Sequence, residues 1–388
     1  MSEHYRAFSF LCPTRLEFGV GAVQKTGGLA RELGLSSVLI VSGSGPTSAS
    51  EGYRSLVASL SDAGIAVDTY AAVTPDPDAS QVRDCARLLT SGGHNAVVAY
   101  GGGSPMDCAK SAALCAANGK DILDFLYGKA APGTPALPIV AVPTTAGTGS
   151  ELSSAAVTTD RQAGKKLGYS HPSFFPRLAI VDPEVQASMP PAVTSATGMD
   201  ALTHAVESFL SLGANPASDA INLACVRLIA GNLPKACRNG ADLDARSGMA
   251  LAAAMAGAAF SNTGLGMVHG FAHPVGALHG VAHGLANAII LPYVLAALRP
   301  ATADRMAHLE AFFGPGPLHA SVAALNRELG VPSGLASLGI AEGQLEAIAA
   351  DARTYRMRPR SPRAFTDDEL TTLLHAAWAG DMAAAERV

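Results

Sequence analysis

The 388-residue chain is poor in charge: Asp, Glu, Lys and Arg make up 15% of it, against 48% hydrophobic residues. That balance excludes an intrinsically disordered chain and fits a protein with much buried helix and sheet. Cysteine is sparse as well. The six (Cys12, Cys85, Cys108, Cys115, Cys225 and Cys237) include no C-x-x-C pair, which excludes a clustered zinc–thiolate site and reads them as reduced, small hydrophobes. No uninterrupted apolar run reaches the roughly eighteen residues of a bilayer-spanning helix; the longest candidate, MALAAAMAGAAF, is too short. The opening MSEHYRAFSFLCPTRLEF carries Glu3, Arg6 and Arg15 among its apolar residues, so it lacks the apolar region of a signal peptide. The net charge is −5 and no basic stripe occurs before Asp351, which argues against nucleic acid as a partner. A cytoplasmic protein with neither membrane nor nucleic-acid partner is expected.

The length suggests two domains. Up to about residue 185, short apolar runs alternate with helical patterns: SVLIV (37–41), AVDTY (66–70), NAVVAY (95–100), LPIVAVP (137–143) and LAIVDP (178–183). Strands alternating with helices imply βαβ units around a parallel sheet, and runs apolar throughout fit strands covered on both faces. After the Pro punctuation of DPEVQASMPP the texture becomes Ala- and Leu-rich with helical period. The expected fold is therefore α/β plus all-α: a Rossmann-like parallel-sheet domain over 1–186 and a helical domain over 187–388. No internal repeat or low-complexity linker interrupts either.

Four stretches carry chemistry. GGGSPMDCAK, Gly101 to Lys110, follows an apolar strand and opens a helix. Glycines let the backbone approach a ligand, and a helix N-terminus offers free N–H groups to a phosphate. A tight strand-to-helix turn accounts for that stretch alone equally well. PTTAGTGSE, Pro143 to Glu151, repeats the arrangement after the next apolar run, and two such loops at strand carboxyl ends favour a nucleotide over a plain turn. GMDALTHAVESF places Asp200 and His204 at i, i+4 on one helical face, with Glu207 close to that face. HGFAHPVGALHGVAH contributes His269, His273, His279 and His283, again in i, i+4 pairs, yet Pro274 and Gly270, Gly276, Gly280 and Gly284 forbid one regular helix through it. Spacing does not choose among these four histidines. Any carboxylate-plus-imidazole set suits Fe²⁺, Zn²⁺ or Mn²⁺ rather than Ca²⁺.

Taken together, GGGSPMDCAK, TTAGTGSE, GMDALTHAVESF and the histidine stretch followed by HGLANAIILPYV resemble the iron-containing (group III, iron-activated) alcohol dehydrogenases, from LEFGVGAV near residue 16 to SPRAFTDDELTTLLHAAW near residue 378. The resemblance implies a nucleotide-binding α/β lobe followed by a helical metal-binding lobe, as in dehydroquinate synthase, and reversible hydride transfer between a small alcohol or aldehyde and NAD(P). It puts metal ligands at Asp200, His204, His269 and His283, with Fe²⁺ first and Zn²⁺ or Mn²⁺ as alternatives. His273 then matches a histidine beside the nicotinamide and substrate, the candidate for proton transfer, and His279 has no role. Gly102, Gly103, Ser104, Thr144, Thr145 and Thr148 match dinucleotide contacts, Lys166 a lysine near the ribose. A homodimer or larger assembly is implied as well.

Two departures from the family pattern bear on specificity. Many NAD-using members carry an Asp after the first strand, whose carboxylate meets the adenosine ribose; here the strand ends VSGSG, leaving Gly43 and then Ser44. Without that carboxylate a 2′-phosphate meets no repulsion, which favours NADP(H). DARTYRMRPRSPRAF carries five arginines, of which Arg356 and Arg358 are candidates for binding an anionic aldehyde of the phosphonoacetaldehyde or succinate-semialdehyde kind, a solvated basic loop being the plainer reading. Phe260 and Leu265 lie near the metal motif by position and are candidates for the substrate wall. The competing class is a metal-dependent lyase or cyclase of the same fold.

Overall fold

The computed structural model describes residues 7–388. These fall into two compact units, one of Cys12–Met189 with Ala241–Gly257, the other of Pro190–Gly240 and Ala258–Val388 with the residues leading up to Leu11.

The first unit contains strands β1 (Arg15–Phe18), β2 (Ser37–Gly43), β3 (Ala66–Val73), β4 (Ala96–Gly101), β5 (Ile139–Pro143), β6 (Ala155–Asp160), β7 (Lys165–Ser170) and β8 (Leu178–Val181), and helices α1 (Thr26–Glu32), α2 (Glu51–Asp62), α3 (Ala79–Ser91), α4 (Gly103–Asn118) and α5 (Ile122–Leu126). Six strands form a parallel sheet in the order β1-β8-β5-β4-β2-β3. Its inner strands β2, β4, β5 and β8 are apolar almost throughout because successive side chains feed opposite cores. Val38 and Ile40 join Leu56 and Leu60 of α2 on one face, whereas Leu39 and Val41 join Val82 of α3 and Ala109 of α4 on the other. Chain order reverses between β2 and β4, so the crevice at their carboxyl ends, where Gly43 and Gly101 lie, is the switch point at which such sheets bind ligands.

Five strands coincide with the apolar runs of the sequence. The others carry no such run: β1 is a charged edge strand containing Arg15 and Glu17, and β6–β7 is an antiparallel hairpin whose small and polar residues bury only alternate positions of β6.

The second unit is helical: α6 (Pro191–Leu210), α7 (Pro216–Arg238), the last turns of α8 (Leu243–Thr263), α9 (Met267–His279), α10 (His283–Glu310), α11 (Leu318–Glu328), α12 (Leu345–Arg353), α13 (Asp367–Ala379) and α14 (Met382–Glu386). α10 is its core helix, touching α6, α7, α9, α11, α13 and α14. By length and composition α10 could cross a membrane, but 72% of its apolar window is buried inside the protein. Counting uninterrupted apolar runs passes over it because Asn287, Pro292 and Arg299 break the run. α9 continues through Pro274 and ends at Gly280, whose φ of 67° suits a left-handed cap; α10 restarts at His283.

Candidate metal centre and nucleotide loops

α6 is buried without interruption from Gly198 to Leu210. Asp200 and His204, one turn apart, thus point into the helical core, with 2% and 4% of their surface exposed. α9 brings His269 to the same place and the first residue of α10 brings His283. A Cβ on Gly284 would overlap the Ala196 carbonyl and sit 3.2 Å from the Asp200 Cβ, so glycine is what lets α10 start against α6. One ligand atom from each of Asp200, His204, His269 and His283 lies within 4.8 Å of the others. The Asp200 Oδ1 is 3.6 Å from Nε2 of His283, 3.9 Å from that of His204 and 4.0 Å from that of His269.

The surroundings orient these groups. His269 donates from Nδ1 to Oε2 of Glu207 at 2.6 Å, which turns the lone pair of Nε2 toward Asp200. Glu207 also accepts the Val268 N–H at 2.7 Å, and a Cβ on Gly266 would come within 2.8 Å of its Oε1. Burial pushes the Glu207 carboxyl up to about 7, against the opposing pull of the N–H groups of Gly266, Val268 and His269. Burial, reinforced by His204, His283 and His273, holds His269 well below the usual imidazole range, hence neutral and able to ligate.

Asn287, one turn after His283, donates from Nδ2 to Asp200 Oδ1 at 2.7 Å, and the same nitrogen lies 3.2 Å from His269 Nε2 and 3.1 Å from His283 Nε2. An amide has two N–H groups for these three acceptors. A divalent cation would satisfy all of them, and a carboxylate with three imidazoles is a donor set that Fe²⁺, Zn²⁺ and Mn²⁺ accept.

His273 stands beside this cluster, its ring 5.4 Å from that of His283 and 5.9 Å from that of His269. Phe260 stacks on His204 at 4.6 Å. Leu265 is buried, its N–H directed at Met357 Sδ, 3.4 Å away. Tyr355 meets His273 edge-on at 5.5 Å. His279, the last residue of α9, lies outside the group of four, and its buried Nε2 has no partner among the described residues. In the basic segment, Arg353 pairs with Glu346, Arg358 with Asp367 and the carbonyls of Arg353 and Phe365, and Arg363 with Glu369. Arg358 is thereby committed to holding its own loop. Arg356, next to Tyr355, is exposed and makes no such bond among the described residues.

In the α/β unit the two glycine loops touch. A Cβ on Gly102 would lie 3.1 Å from Thr145 Oγ1, one on Gly103 would lie 2.9 Å from Thr148 Cγ2, and the Thr144 N–H donates to the Gly101 carbonyl at 2.9 Å. Gly101 has φ 153°, and its Cβ would meet Pro105. Gly102 caps α4 without a side-chain bond, so the first turn keeps N–H groups for a ligand. Asp76, the one non-glycine residue with positive φ among those described, ties two predicted contacts together: its N–H donates to Ser104 Oγ at 3.2 Å and its carboxylate pairs with Lys166 Nζ at 2.7 Å. Gly43 ends β2 and Ser44 is exposed beside it. The sequence reading misses Asn287, Tyr355 and Asp76. Asn287 repeats the i, i+4 spacing after His283 and could have been found; the other two stand far along the chain from their partners.

A parallel sheet with paired glycine loops and a helical unit with a carboxylate and three imidazoles are the parts of a metal-dependent, nucleotide-linked oxidoreductase. Residues 13–183 match the family model for iron-containing alcohol dehydrogenase, and residues 194–378 match that for the C-terminal region of the same family. The chain is 36% identical over 382 residues to the NAD-dependent methanol dehydrogenase of Bacillus methanolicus, covering 95% of this chain and 99% of that one. Among solved structures it superposes on a 1,3-propanediol oxidoreductase with a TM-score of 0.91 and 34% identity, over 96% of this chain and all of the other. It superposes on the sulfoacetaldehyde reductase of Bifidobacterium kashiwanohense, solved with NAD⁺, with a TM-score of 0.90 and 30% identity, over 97% of this chain and all of that one. The chain belongs to the iron-containing alcohol dehydrogenase family. It is an oxidoreductase, a metal-dependent alcohol dehydrogenase and aldehyde reductase.

Proposed function

We propose that the protein interconverts a small primary or secondary alcohol and its carbonyl compound with NADP(H), using a divalent ion, Fe²⁺ first, held by Asp200, His204, His269 and His283. The convergence of those four ligand atoms within 4.8 Å of one another carries the reading. An ion there supplies Lewis acidity toward the substrate oxygen, and the nicotinamide supplies or accepts the hydride. The chain's residues do the rest. Glu207 fixes the His269 tautomer, Asn287 steadies Asp200, and Phe260, stacked on His204, walls the site. His273 exchanges the proton that the alcohol releases on oxidation, an imidazole being able to do so near neutral pH.

The nucleotide lies along Gly102, Gly103, Ser104, Thr144, Thr145 and Thr148, with Lys166 toward the ribose. Gly43 and Ser44 at the end of β2 leave a 2′-phosphate unopposed, which favours NADP(H). A homodimer or larger assembly working in the cytoplasm is the accompanying proposal. A second reading, an anionic aldehyde as substrate, is favoured by Arg356: it is exposed, follows the tyrosine that packs on His273, and carries no ion pair among the described residues. The test is an anaerobic screen of neutral and anionic aldehydes with NADPH and NADH after Fe²⁺ or Zn²⁺ reconstitution. Equal turnover with and without metal would refute the metal reading, and a higher kcat/KM with NADH the cofactor reading. Arg356→Ala should raise KM for anionic aldehydes selectively.

A further inference from the structure

Lys110 has 1% of its surface exposed, although it carries an ammonium group. Its Nζ lies 2.7 Å from the Ser150 carbonyl, 3.0 Å from that of Ser153 and 2.9 Å from that of Ala155, with the hydroxyls of Ser150 and Ser153 at 2.8 and 3.3 Å. The five oxygens form a cage, all of them from the segment that continues the second glycine loop. Asp107, one turn earlier on the same helix, binds the Ser150 hydroxyl and the Val157 N–H, and Glu151 is buried alongside. Burying a lysine and the Glu151 carboxyl is costly, and an apolar helix position would ordinarily carry Leu or Met. Neither Lys110 nor Asp107 has a part in the chemistry above.

Placement supplies the reason. α4 begins with the first glycine loop and, two turns on, grips the second through Lys110. The loops meet where Gly102 and Gly103 pack on Thr145 and Thr148, so each must be held at a fixed distance from the other. β5 fixes the second loop upstream through its register with β4; downstream, 150–155 has only a short 3₁₀ turn before β6.

We propose that Lys110 is the positioning residue of the nucleotide site: its caged ammonium latches 150–155 to α4 and so presets both loops for the pyrophosphate. This rests on the two loops being the cofactor site. The latch acts on nucleotide affinity and not on the chemical step, which gives it a signature.

Binding of NADPH to metal-loaded protein, followed by nicotinamide fluorescence, tests it beside steady-state kinetics and metal content. Lys110→Met should raise Kd and KM for NADPH about tenfold, with kcat at saturating NADPH within about threefold and metal content unchanged. In Lys110→Ala, ammonium chloride should occupy the cage and recover affinity, whereas choline chloride at the same ionic strength should not. If Lys110→Met does not fold, the double variant Ser150→Ala/Ser153→Ala, which keeps the lysine and removes two of its five oxygens, should still raise Kd by about threefold. A folded Lys110→Met, or failing that the double variant, that binds NADPH as the parent does overturns the latch, as does a loss in kcat alone. Failure of the parent protein itself to bind either nicotinamide nucleotide would instead refute the cofactor site.

Discussion

In the helical unit the four candidate ligands are side chains from α6, α9 and α10, three of them almost wholly buried; Glu207 holds His269, and Asn287 meets Asp200, His269 and His283. In the α/β unit the two glycine loops proposed for the nucleotide offer backbone, glycine and hydroxyl groups, half exposed, whose shape is set by their contact with one another and by Asp76. The two suit different ligands. A small cation needs a few strong donors at fixed distances, so loss of one donor is felt at once. A dinucleotide spreads its binding over many weak contacts, so loss of one is diluted, and conformation counts for more than any single side chain.

The largest expected effects therefore lie in the helical unit. His269→Ala, like Asp200→Ala, should abolish metal retention, read by elemental analysis after dialysis, and lower kcat/KM by about 10³-fold or more. Glu207→Gln should keep the site but weaken metal affinity by about 10- to 100-fold. His273→Ala sharpens the contrast inside the same unit: metal content stays at the parent level while kcat falls by about 10²-fold or more, the size of a lost proton-transfer group. Loss of metal from His273→Ala would move it into the ligand set.

How far all this could be read from the chain follows from the periods involved. The sheet was legible because strands covered on both faces are apolar at every position, and the loops because glycines and threonines punctuate those strands. β1 and the β6–β7 hairpin were not, since an edge strand and a one-sided hairpin need only alternate or few apolar residues. Asp200 and His204 were legible at i, i+4. Choosing His269 and His283 over their neighbours was not a matter of spacing, because His269 and His273 share one face of α9 and only the packing of α10 on α6 decides which imidazoles converge. Lys110 gave no signal: a lysine on a helix usually reaches solvent, and its cage is assembled from carbonyls 40 or more residues away.

The α/β unit should respond more mildly. Gly43→Asp places a carboxylate at the end of β2, where its Cβ would meet only the Val73 carbonyl and Thr47, both at ordinary contact distance. Preference should shift toward NADH by about tenfold in the ratio of kcat/KM values, with metal content unchanged. An unaltered ratio would mean that the 2′-position is read elsewhere.

The smallest effect tests whether the α/β framework is tuned locally and separately from the metal centre. Asp78 caps α3, accepting the N–H groups of Ser80 and Gln81 at 2.9 and 3.1 Å, and it pairs with Arg161 on the β6–β7 turn. Burial opposes its ionisation, but the Ser80 hydroxyl, Arg161 and the two N–H groups outweigh burial and bring the carboxyl down to about 2. Since the folded value lies below the unfolded one of about 3.9, the ionised form stabilises the fold. Its contribution is complete above that unfolded value and is lost as pH falls through about 2. Asp78→Ala should thus cost about 1 kcal/mol in denaturant unfolding at pH 7, mostly the lost cap, because the ion pair is partly exposed and screened. The difference from the parent should hold constant from pH 7 down to about 5 and shrink only below about 4. Metal content should not move, and a gap that widened on acidification would mean that the protonated form of Asp78 is the stabilising one.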